Sequence, residues 1–386
     1  QRTMKKNFLF VMAAAAMLAS CSKDAAVSEP AGTGNENGVV DPANPNSPVK
    51  IQLGASADIE AGVELDKKAS RAPIDAWNNT EVGIYALAKN AEATDWTTTN
   101  TNDPTMLWEN VKGTIATGAE DTDVAITLDL QGQPGYYPNQ GTHQYTFYGY
   151  HPYNTDVNKP VIDGTKATTS FTITGAEDIL HGSAVATQLN GKDDDAESTY
   201  EGYNATYFRK GDGAATPVIK FGHKLTQLKF EVKKSDTFDA EQGLKVQSIV
   251  IKDVPTKLDL VIADKAGSTE GQILANAEPA NGDLTVAGLE EAFDVSTATD
   301  FTEVGSPIML FSDGTNTKTF TALVTLVDGE DKTSPNTITL TAPAGNAYAQ
   351  GSAYTIQLTI NSLQEITVNA NLTPWTEVEE PITGEI

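Results

Sequence analysis

Short runs of alternating apolar and polar residues recur along most of the chain, and Gly, Pro and Asn turns separate them. Alternation with a period of two is typical of half-buried strands, and no long stretch has the spacing of an amphipathic helix. The pattern therefore predicts an all-β protein built from antiparallel sandwiches. The predicted strands begin at residues 49, 81, 123, 144, 170, 218, 245, 308, 319, 336, 353 and 366.

The N-terminal region has the organisation of an export signal followed by a linker. Lys5 and Lys6 precede an uncharged apolar run, FLFVMAAAAML, which is too short to span a bilayer as a stable anchor. Residues 21–48 are rich in Pro, Gly, Asn and Ser, which predicts a disordered tether. We therefore expect a signal peptide over residues 1–20, the tether over 21–48, and two β-sandwich domains over 49–214 and 215–386.

Cys21 is the only cysteine, so it cannot form a disulfide within the chain. The apolar run and the residues LAS in front of Cys21 resemble the lipobox of bacterial lipoproteins. In that family the cysteine thiol receives an acyl chain such as palmitate and becomes the N-terminus after cleavage. The resemblance implies lipid attachment at Cys21 and anchoring in the outer membrane rather than insertion across it.

The chain carries 52 acidic and 26 basic residues, which gives a net charge of −26. A charge of this size and sign repels nucleic acid and anionic membrane surfaces. We therefore expect no nucleic-acid partner.

Residues that could carry catalysis are scarce. His143, His151, His181 and His223 lie in different predicted strands and loops, and none has the spacing of a metal-binding pair. The sequence contains no nucleophile elbow and no phosphate-binding glycine loop. We predict that the chain is not an enzyme and needs no cofactor or metal. The acidic loop at residues 193–195 is interpreted as a solvated charge run rather than a calcium site.

A cluster of aromatic residues in the first domain could form a platform for sugar rings. Its alternation favours burial instead, because Tyr145 and Phe147 point to one face of a strand while Tyr148 and Tyr150 point to the other. That arrangement is expected of a central strand covered on both sides. The cluster comprises Tyr136, Tyr137, Tyr145, Phe147, Tyr148, Tyr150 and Tyr153.

Several segments together carry a family resemblance. In FGHKLTQLKFEV, which starts at Phe221, the alternation slips phase once at Thr226, and this indicates a bulge or bend between two strands. The other segments are SRAP…W…EVGIYAL, YGYHPY, DILHG and ITVNANLTPW. With the lipobox, they resemble fimbrillin-like proteins, the type V pilins that Gram-negative anaerobes make as lipoproteins. The resemblance covers nearly the whole chain.

The resemblance implies two tandem transthyretin-like Greek-key β-sandwiches and a structural subunit of a cell-surface fimbrium used in adhesion. In the family, an outer-membrane protease cuts behind an arginine, which corresponds here to Arg71 and leaves Ala72 as the new N-terminus. The cut would detach the lipid, the tether and the first strand, and would leave an apolar groove that another pilin subunit fills by donor-strand exchange. The inward residues of that displaced strand are Val49, Ile51, Leu53 and Ala55.

The family's donor is the C-terminus, and two segments are candidates. Residues 366–373 alternate in the required way, but they could also be the last internal strand, which would leave residues 378–386 as donor. The candidate donor residues in the first segment are Ile366, Val368, Ala370 and Leu372.

A competing function shares the same fold. A surface-anchored glycan-binding lipoprotein, or a tip adhesin that does not polymerise, would also have a lipobox, a tether and tandem sandwiches. Its partner would be a host glycan or protein rather than other pilin subunits. A strand placed upstream of a cleavable arginine favours the polymerising subunit, because a binding module gains nothing from that arrangement.

Overall fold

The structure is a computed structural model that describes residues 46–57, 77–90, 95–97, 100–117, 124–155, 159–186, 202–209, 215–236, 243–278 and 280–373. Of the described residues, strands account for 52% and helix for 4%, which confirms the predicted all-β class. A short helix, α1, covers Ala205–Arg209, and single 3₁₀ turns lie at Val295–Thr297 and Pro343–Gly345.

Seven strands form one sheet that closes on itself into a barrel. In order around the barrel they are β1 (Gly54–Ala57), β4 (Val124–Asp129), β3 (Met106–Ile115), β2 (Thr80–Ala88), β5 (Tyr145–His151), β8 (Leu180–Ala184) and β9 (Val218–His223). Neighbouring strands are antiparallel except for β1 and β9, which are parallel and close the barrel. The sandwich predicted for the first half is thus closed along the side where β1 lies.

Two further sheets form a sandwich in the second half of the chain. One contains β16 (Thr302–Glu303), β17 (Ile308–Leu310), β10 (Thr226–Lys234), β20 (Ala353–Ser362) and β21 (Glu365–Thr373). The other contains β14 (Asn281–Thr285), β15 (Phe293–Asp294), β11 (Lys245–Pro255), β18 (Thr319–Val327) and β19 (Thr333–Thr341). Alternate residues of β18 and β20 are buried in the shared core, as their period-two pattern predicts.

A fourth sheet joins the two halves of the chain. We call it the seam sheet, and it consists of β6 (Val161–Asp163), β7 (Lys166–Thr172), β12 (Lys257–Asp264) and β13 (Ile273–Ala275). β7 comes from the first half and β12 from the second, and they pair antiparallel along their lengths. Leu258, Leu260 and Ile262 of β12 share a core cluster with Tyr148 and Tyr150 of β5. The seam sheet therefore packs over the outside of the barrel.

The chain leaves the barrel between His223 and Thr226. β9 ends at His223 after pairing with β8 and β1, and β10 begins at Thr226 in a different sheet. The phase slip in the sequence marks this passage. The barrel thus continues past the boundary placed near Ala214, because its closing strand lies beyond that residue.

Two glycines show how tightly the barrel strands pack on their neighbours. A Cβ atom added to Gly149 would lie 2.4 Å from the Phe221 ring, and one added to Gly83 would lie 2.1 Å from the Tyr150 ring. Both distances are far below a van der Waals contact, so no side chain fits at either position. The EVGIYAL, YGYHPY and FGH segments are therefore interlocked through these two contacts.

Candidate assembly site

The segment around β1 fills one side of the barrel interior with four alternating apolar side chains. Their exposed fractions are 2% at Val49, 3% at Ile51, 3% at Leu53 and 0% at Ala55. All four belong to the barrel's core cluster, together with Phe221 of β9. We call the space that these side chains occupy the groove. The period-two pattern predicts this inward face correctly.

Backbone hydrogen bonds hold the segment along the β4 side of the groove. Gly54 and Ala55 pair antiparallel with Ala125 and Val124, and Lys50 forms a bridge with Tyr136. The bonds on this side are Tyr137 N to Val49 O, Ile51 N to Gly135 O and Ile126 N to Leu53 O, each 3.0 Å. These contacts make the segment a full member of the barrel wall.

The opposite side of the groove is formed by β9. Gly54 N donates to Pro217 O at 2.9 Å, and β1 then runs parallel to β9 from Gly54 opposite Val218 to Ala57 opposite Phe221. Loss of β1 would therefore expose two strand edges at once, those of β4 and β9. Such paired open edges are a template for another strand.

Arg209, the last residue of α1, holds the start of the segment. Its Nε and Nη2 atoms donate to Ser47 O at 3.1 and 2.7 Å, and its Nη1 atom donates to Asn139 O at 2.8 Å. The guanidinium thus ties the entry of the segment to the loop before β5 through a planar fork of donors.

A buried pair of ionisable residues lies behind the β9 wall. Asp178, just before β8, places Oδ2 at 2.9 Å from Nδ1 of His223, the last residue of β9. Their side chains are 2% and 3% exposed. The pair links the DILHG segment to the FGHKL segment and fixes the ends of the two strands beside each other.

His181 is a second buried histidine, and its chemistry differs from that of His223. Its Nε2 lies 2.7 Å from Ile262 O, and because a carbonyl can only accept, Nε2 carries the proton. Desolvation by burial, with a smaller effect of the Lys224 charge, lowers the pKa of His181 to about 4. The imidazole is therefore neutral at pH 7 and bonds the barrel strand β8 to the seam strand β12.

The lowered pKa of His181 predicts that this residue makes the stability of the fold depend on pH. In the unfolded chain this histidine has a pKa near 6.5. As the pH falls toward 4, the unfolded chain therefore binds a proton at this residue while the folded chain does not. The stabilisation from the neutral His181 is fully present above pH 6.5, and about 3 kcal/mol of the free energy of unfolding is lost when the pH reaches 4. His181→Gln keeps a donor for Ile262 O but does not titrate. Urea unfolding of both proteins at pH 7 and pH 4 should show their stability difference shrinking by that amount, and parallel pH profiles would contradict the assignment.

In this structure the candidate donor residues 366–373 are paired with a strand of their own chain. They form most of β21, which is antiparallel to β20 at the edge of its sheet. Ile366, Val368 and Ala370 point inward but stay only half-buried, and Leu372 is 62% exposed. β21 is thus the last described strand, and its apolar face is less covered than that of β1.

A family comparison adds to this geometry. The profile of the family described as fimbrillin-like matches residues 70–375 of the chain. The chain belongs to the fimbrillin-like family. Fimbrillin-like proteins are pilus-type subunits of cell-surface fimbriae, so this chain is a structural protein and not an enzyme. The match starts beyond β1 and includes Arg71, β21 and the buried Asp178–His223 pair.

Solved structures with a similar course of the chain have low sequence identity to this fimbrillin-like protein. A protein assigned to cell adhesion from Bacteroides uniformis is 17% identical, with 85% of this chain and 98% of that chain covered and a TM-score of 0.48. The tip fimbrial protein Mfa3 from Porphyromonas gingivalis, with a C-terminal truncation, is 9% identical, with 84% and 100% covered and a TM-score of 0.37. No curated protein matched the chain.

Several predicted positions of this fimbrillin-like chain lie outside the described residues. They are the lipid attachment residue Cys21, the processing residues Arg71 and Ala72, the acidic loop at 193–195 and the alternative donor 378–386. Their predicted roles stay predictions. The described chain stops at Ala57 and resumes at Trp77, whose ring packs edge-on against Phe221 with centroids 5.5 Å apart.

The aromatic cluster is buried rather than displayed. Tyr145 and Phe147 lie in the barrel core, whereas Tyr148 and Tyr150 lie in the core beneath the seam sheet. This division confirms that β5 is a central strand covered on both faces. Of the cluster, Tyr136 has an exposed side chain, at 52%. A sugar-stacking platform made of these residues is therefore not formed.

The described residues contain no group of three or more His, Cys, Asp or Glu side chains placed to bind a metal ion. Within the same part of the chain, no helix has the length and apolarity needed to cross a membrane. Two of the four histidines have different buried partners: His181 bonds the Ile262 carbonyl, and His223 pairs with Asp178. Sequence reasoning missed both contacts, although DILHG and FGHKL were each recognised as family segments.

Proposed function

We propose that this chain is a fimbrial subunit exported as a lipoprotein through Cys21, cut after Arg71 by an arginine-specific protease, and polymerised by donor-strand exchange. The resulting fimbrium serves adhesion to a host glycan or protein. The observation that carries the proposal is the burial of Val49, Ile51 and Leu53 in the barrel, upstream of Arg71. A cut at Arg71 leaves that strand held by noncovalent contacts alone.

The distribution of arginine favours one productive cut. Arginine occurs at Arg2, Arg71 and Arg209, and Arg2 falls in the predicted signal peptide. The Arg209 guanidinium donates to Ser47 O and Asn139 O, so it is already engaged in the folded chain. Proteases cut chains that can adopt an extended conformation in their active site, and this favours the polar stretch around Arg71 over the fold at Arg209.

Charge does not drive the assembly. Residues 1–71 contain eight basic and eight acidic residues, so the processed subunit keeps the net charge of −26. Subunits must therefore join through strand hydrogen bonds and burial of apolar surface, at about 25 cal/mol per Å². Because salt screens the repulsion between subunits, we expect faster assembly at higher ionic strength.

Limited digestion with an arginine-specific protease tests the proposal. The uncut chain should be monomeric, whereas the cut chain, concentrated, should give a ladder of oligomers that survives unheated detergent gels and collapses on boiling. Such joins persist because a whole row of sheet hydrogen bonds must break together. N-terminal sequencing of the ladder should read from Ala72.

Two arginine variants provide the controls for this digestion. Arg71→Ala should remain uncut and monomeric, while Arg209→Lys removes the other site in the mature chain and should still form the ladder. If the cut wild-type protein remains monomeric for days at high concentration, donor-strand exchange is wrong. The anchored glycan-binding lipoprotein or non-polymerising tip adhesin would then take its place.

A further inference from the structure

Three of the four sheets have open ends, and one of those ends carries no charge. Sheet ends are normally guarded by short strands or charged side chains, because an open row of backbone groups pairs with other chains. In the described chain β6, β14, β15, β16 and β21 each carry a charged residue, while β13 and β17 have only three residues. β19 has nine residues and no Asp, Glu, Lys or Arg. β19 is therefore a long strand edge without the usual guard.

The pairing of β19 with β18 shows which backbone groups face outward. Just beyond β19, Ala342 N donates to Lys318 O at 2.9 Å, and the register continues unbroken through Thr333–Thr341. Bonding alternates residue by residue in an antiparallel pair, so the even-numbered residues bond to β18. The odd-numbered residues point their backbone groups away from the sheet. Those with an N–H are Thr333, Thr337, Thr339 and Thr341.

Pro335 limits the length of the open edge. It belongs to the odd-numbered set but has no N–H, and its ring faces the open side of the strand. The usable edge therefore runs from Thr337 to Thr341, where three successive odd-numbered residues each offer a donor and an acceptor. The threonine side chains at these positions are exposed on the outer face of the sheet.

Charge favours a second copy of this chain as the partner of the β19 edge. The chain has a net charge of −26 and one residue in five is charged, so most surfaces of two copies repel each other. β18 and β19, nine residues each, contain no charged residue. Two copies can therefore approach closely here, whereas an acidic or basic partner would find no charge to pair with. An antiparallel strand pair is also self-complementary around a two-fold axis.

We propose that the β19 edges of two copies pair antiparallel around a two-fold axis at Thr339, and that this contact joins two fimbriae side by side. In this register Thr339 lies opposite Thr339 of the second copy, and Thr337 lies opposite Thr341. The three pairs form about six backbone hydrogen bonds, and Pro335 lies outside the paired segment. The joining of fimbriae rests on the proposed polymerisation, whereas the pairing of two chains does not.

The same register joins the cores of the two copies. Ile338 is half-buried at the margin of the sandwich core, and Leu340 is fully buried. The two-fold axis places Ile338 of each copy opposite Leu340 of the other, in a non-hydrogen-bonded pair where side chains lie closest. On the outer face, the paired threonines can hydrogen-bond across the strands. A register centred on Thr337 would instead put Pro335 opposite Thr339 and lose backbone hydrogen bonds.

The contact is weak for single chains and strong for filaments. A strand edge of this length buries little surface, so dilute uncut chains stay monomeric. In a filament the contact repeats at every subunit, and many weak contacts together bind firmly. A two-fold contact closes on itself and cannot extend a filament, so it joins subunits that belong to different filaments.

Disulfide trapping in the uncut chain tests the pairing without any cleavage. In the full chain with Cys21→Ser, Thr339→Cys places two thiols opposite each other, at a Cα separation of about 5.5 Å that a disulfide accepts. Thr333→Cys is the matched control, because it is also exposed on β19 but would lie about 40 Å from its counterpart. After mild oxidation of concentrated protein, we expect about tenfold more linked dimer with Thr339→Cys than with Thr333→Cys. Equal yields, including no dimer in either, overturn the proposal.

Charged variants separate pairing at the edge from stacking of the outer faces. Thr339→Glu puts two carboxylates opposite each other and should weaken the dimer of the uncut chain about tenfold, measured by sedimentation velocity at high concentration. Thr321→Glu adds the same charge to the same exposed face, but on β18, where Thr321 pairs with Thr339 of its own chain. This control should stay within about twofold of the wild type, because salt screens charges that are not in contact. Equal weakening by both variants would mean that the faces stack, which contradicts pairing at the edge.

Electron microscopy of the cut protein tests the joining of fimbriae. Wild-type filaments should lie side by side in pairs, whereas Thr339→Glu should give single filaments with an unchanged oligomer ladder. Single wild-type filaments would overturn the joining step. If no filament forms, the proposed function fails, and the disulfide yields of the uncut chain still decide the pairing of β19.

Discussion

Asp178→Ala should lower the free energy of unfolding by about 1–3 kcal/mol, the cost of leaving a buried polar group without its partner, and the cavity left behind should add to this loss. The carboxylate lies 2.9 Å from Nδ1 of His223, and both side chains are nearly inaccessible to water. Its loss removes the partner of a buried imidazole and leaves a cavity between β8 and β9. Because β9 is a wall of the groove, the damage should reach the site where β1 binds.

Urea titration followed by tryptophan fluorescence measures this loss. A cycle of Asp178→Ala, His223→Ala and the double variant isolates the coupling, which should exceed about 1 kcal/mol for groups in direct contact. Asp163→Ala on the exposed strand β6 is the matched control and should stay within about 0.5 kcal/mol of the wild type. Additive effects of Asp178→Ala and His223→Ala would mean that the pair contributes no specific interaction.

Leu53→Ala should be far more damaging than the same change at Leu372. Leu53 is 3% exposed in the groove, whereas Leu372 is 62% exposed on β21. Truncation of a buried leucine costs about 2–5 kcal/mol through lost transfer energy and a residual cavity, while an exposed one costs little. The two variants are matched in chemistry and differ only in the strand that carries the leucine.

Thermal unfolding of the uncut chain compares these two variants. Leu372→Ala should melt close to the wild type, and Leu53→Ala several degrees lower. The contrast would measure how much of the barrel's stability comes from a segment upstream of Arg71. Similar losses in both variants would mean that the upstream strand is no better packed than β21, which would remove the main physical support for the proposed exchange.

The parts of the fold that follow one periodic pattern were predictable. β18, β20 and the segment before β1 bury alternate residues, so a period of two identifies their inward faces without knowledge of their neighbours. The segment around β1 is the one whose displacement we propose, and its four inward residues could be named from the sequence. Each of these strands has one buried face, which is the condition under which alternation is informative.

Strands that break the pattern could not be found this way. β3 includes Asn110 at a φ of 48°, and its pairing with β2 contains register shifts. Its alternation is interrupted for this reason. β12 is buried on both faces over most of its length, which gives a continuous apolar run rather than an alternating one. The pairing of β12 with β7 joins residues that are far apart in sequence, and no local signal encodes it.

The parts of the site formed by neighbouring residues in the sequence were predictable, whereas the contacts between distant segments were not. The inward face of the segment at residues 49–55 follows from the alternation of its own residues. The Arg209 clamp on Ser47, the Asp178–His223 pair and the β9 wall each require a fold that brings distant segments together. The DILHG and FGHKL segments carried a signal, since each places an ionisable residue within an apolar stretch, where it needs a partner.

The seam sheet has a mechanical consequence. A filament joined end to end carries tension through every subunit, and a subunit with two halves on a simple linker would stretch there first. Here β7 and β12 hold the halves together with an antiparallel ladder from Lys166–Thr172 to Lys257–Asp264. Pulling the halves apart must break that ladder, so in the proposed filament each subunit would resist separation of its halves through these backbone hydrogen bonds and not through a linker alone.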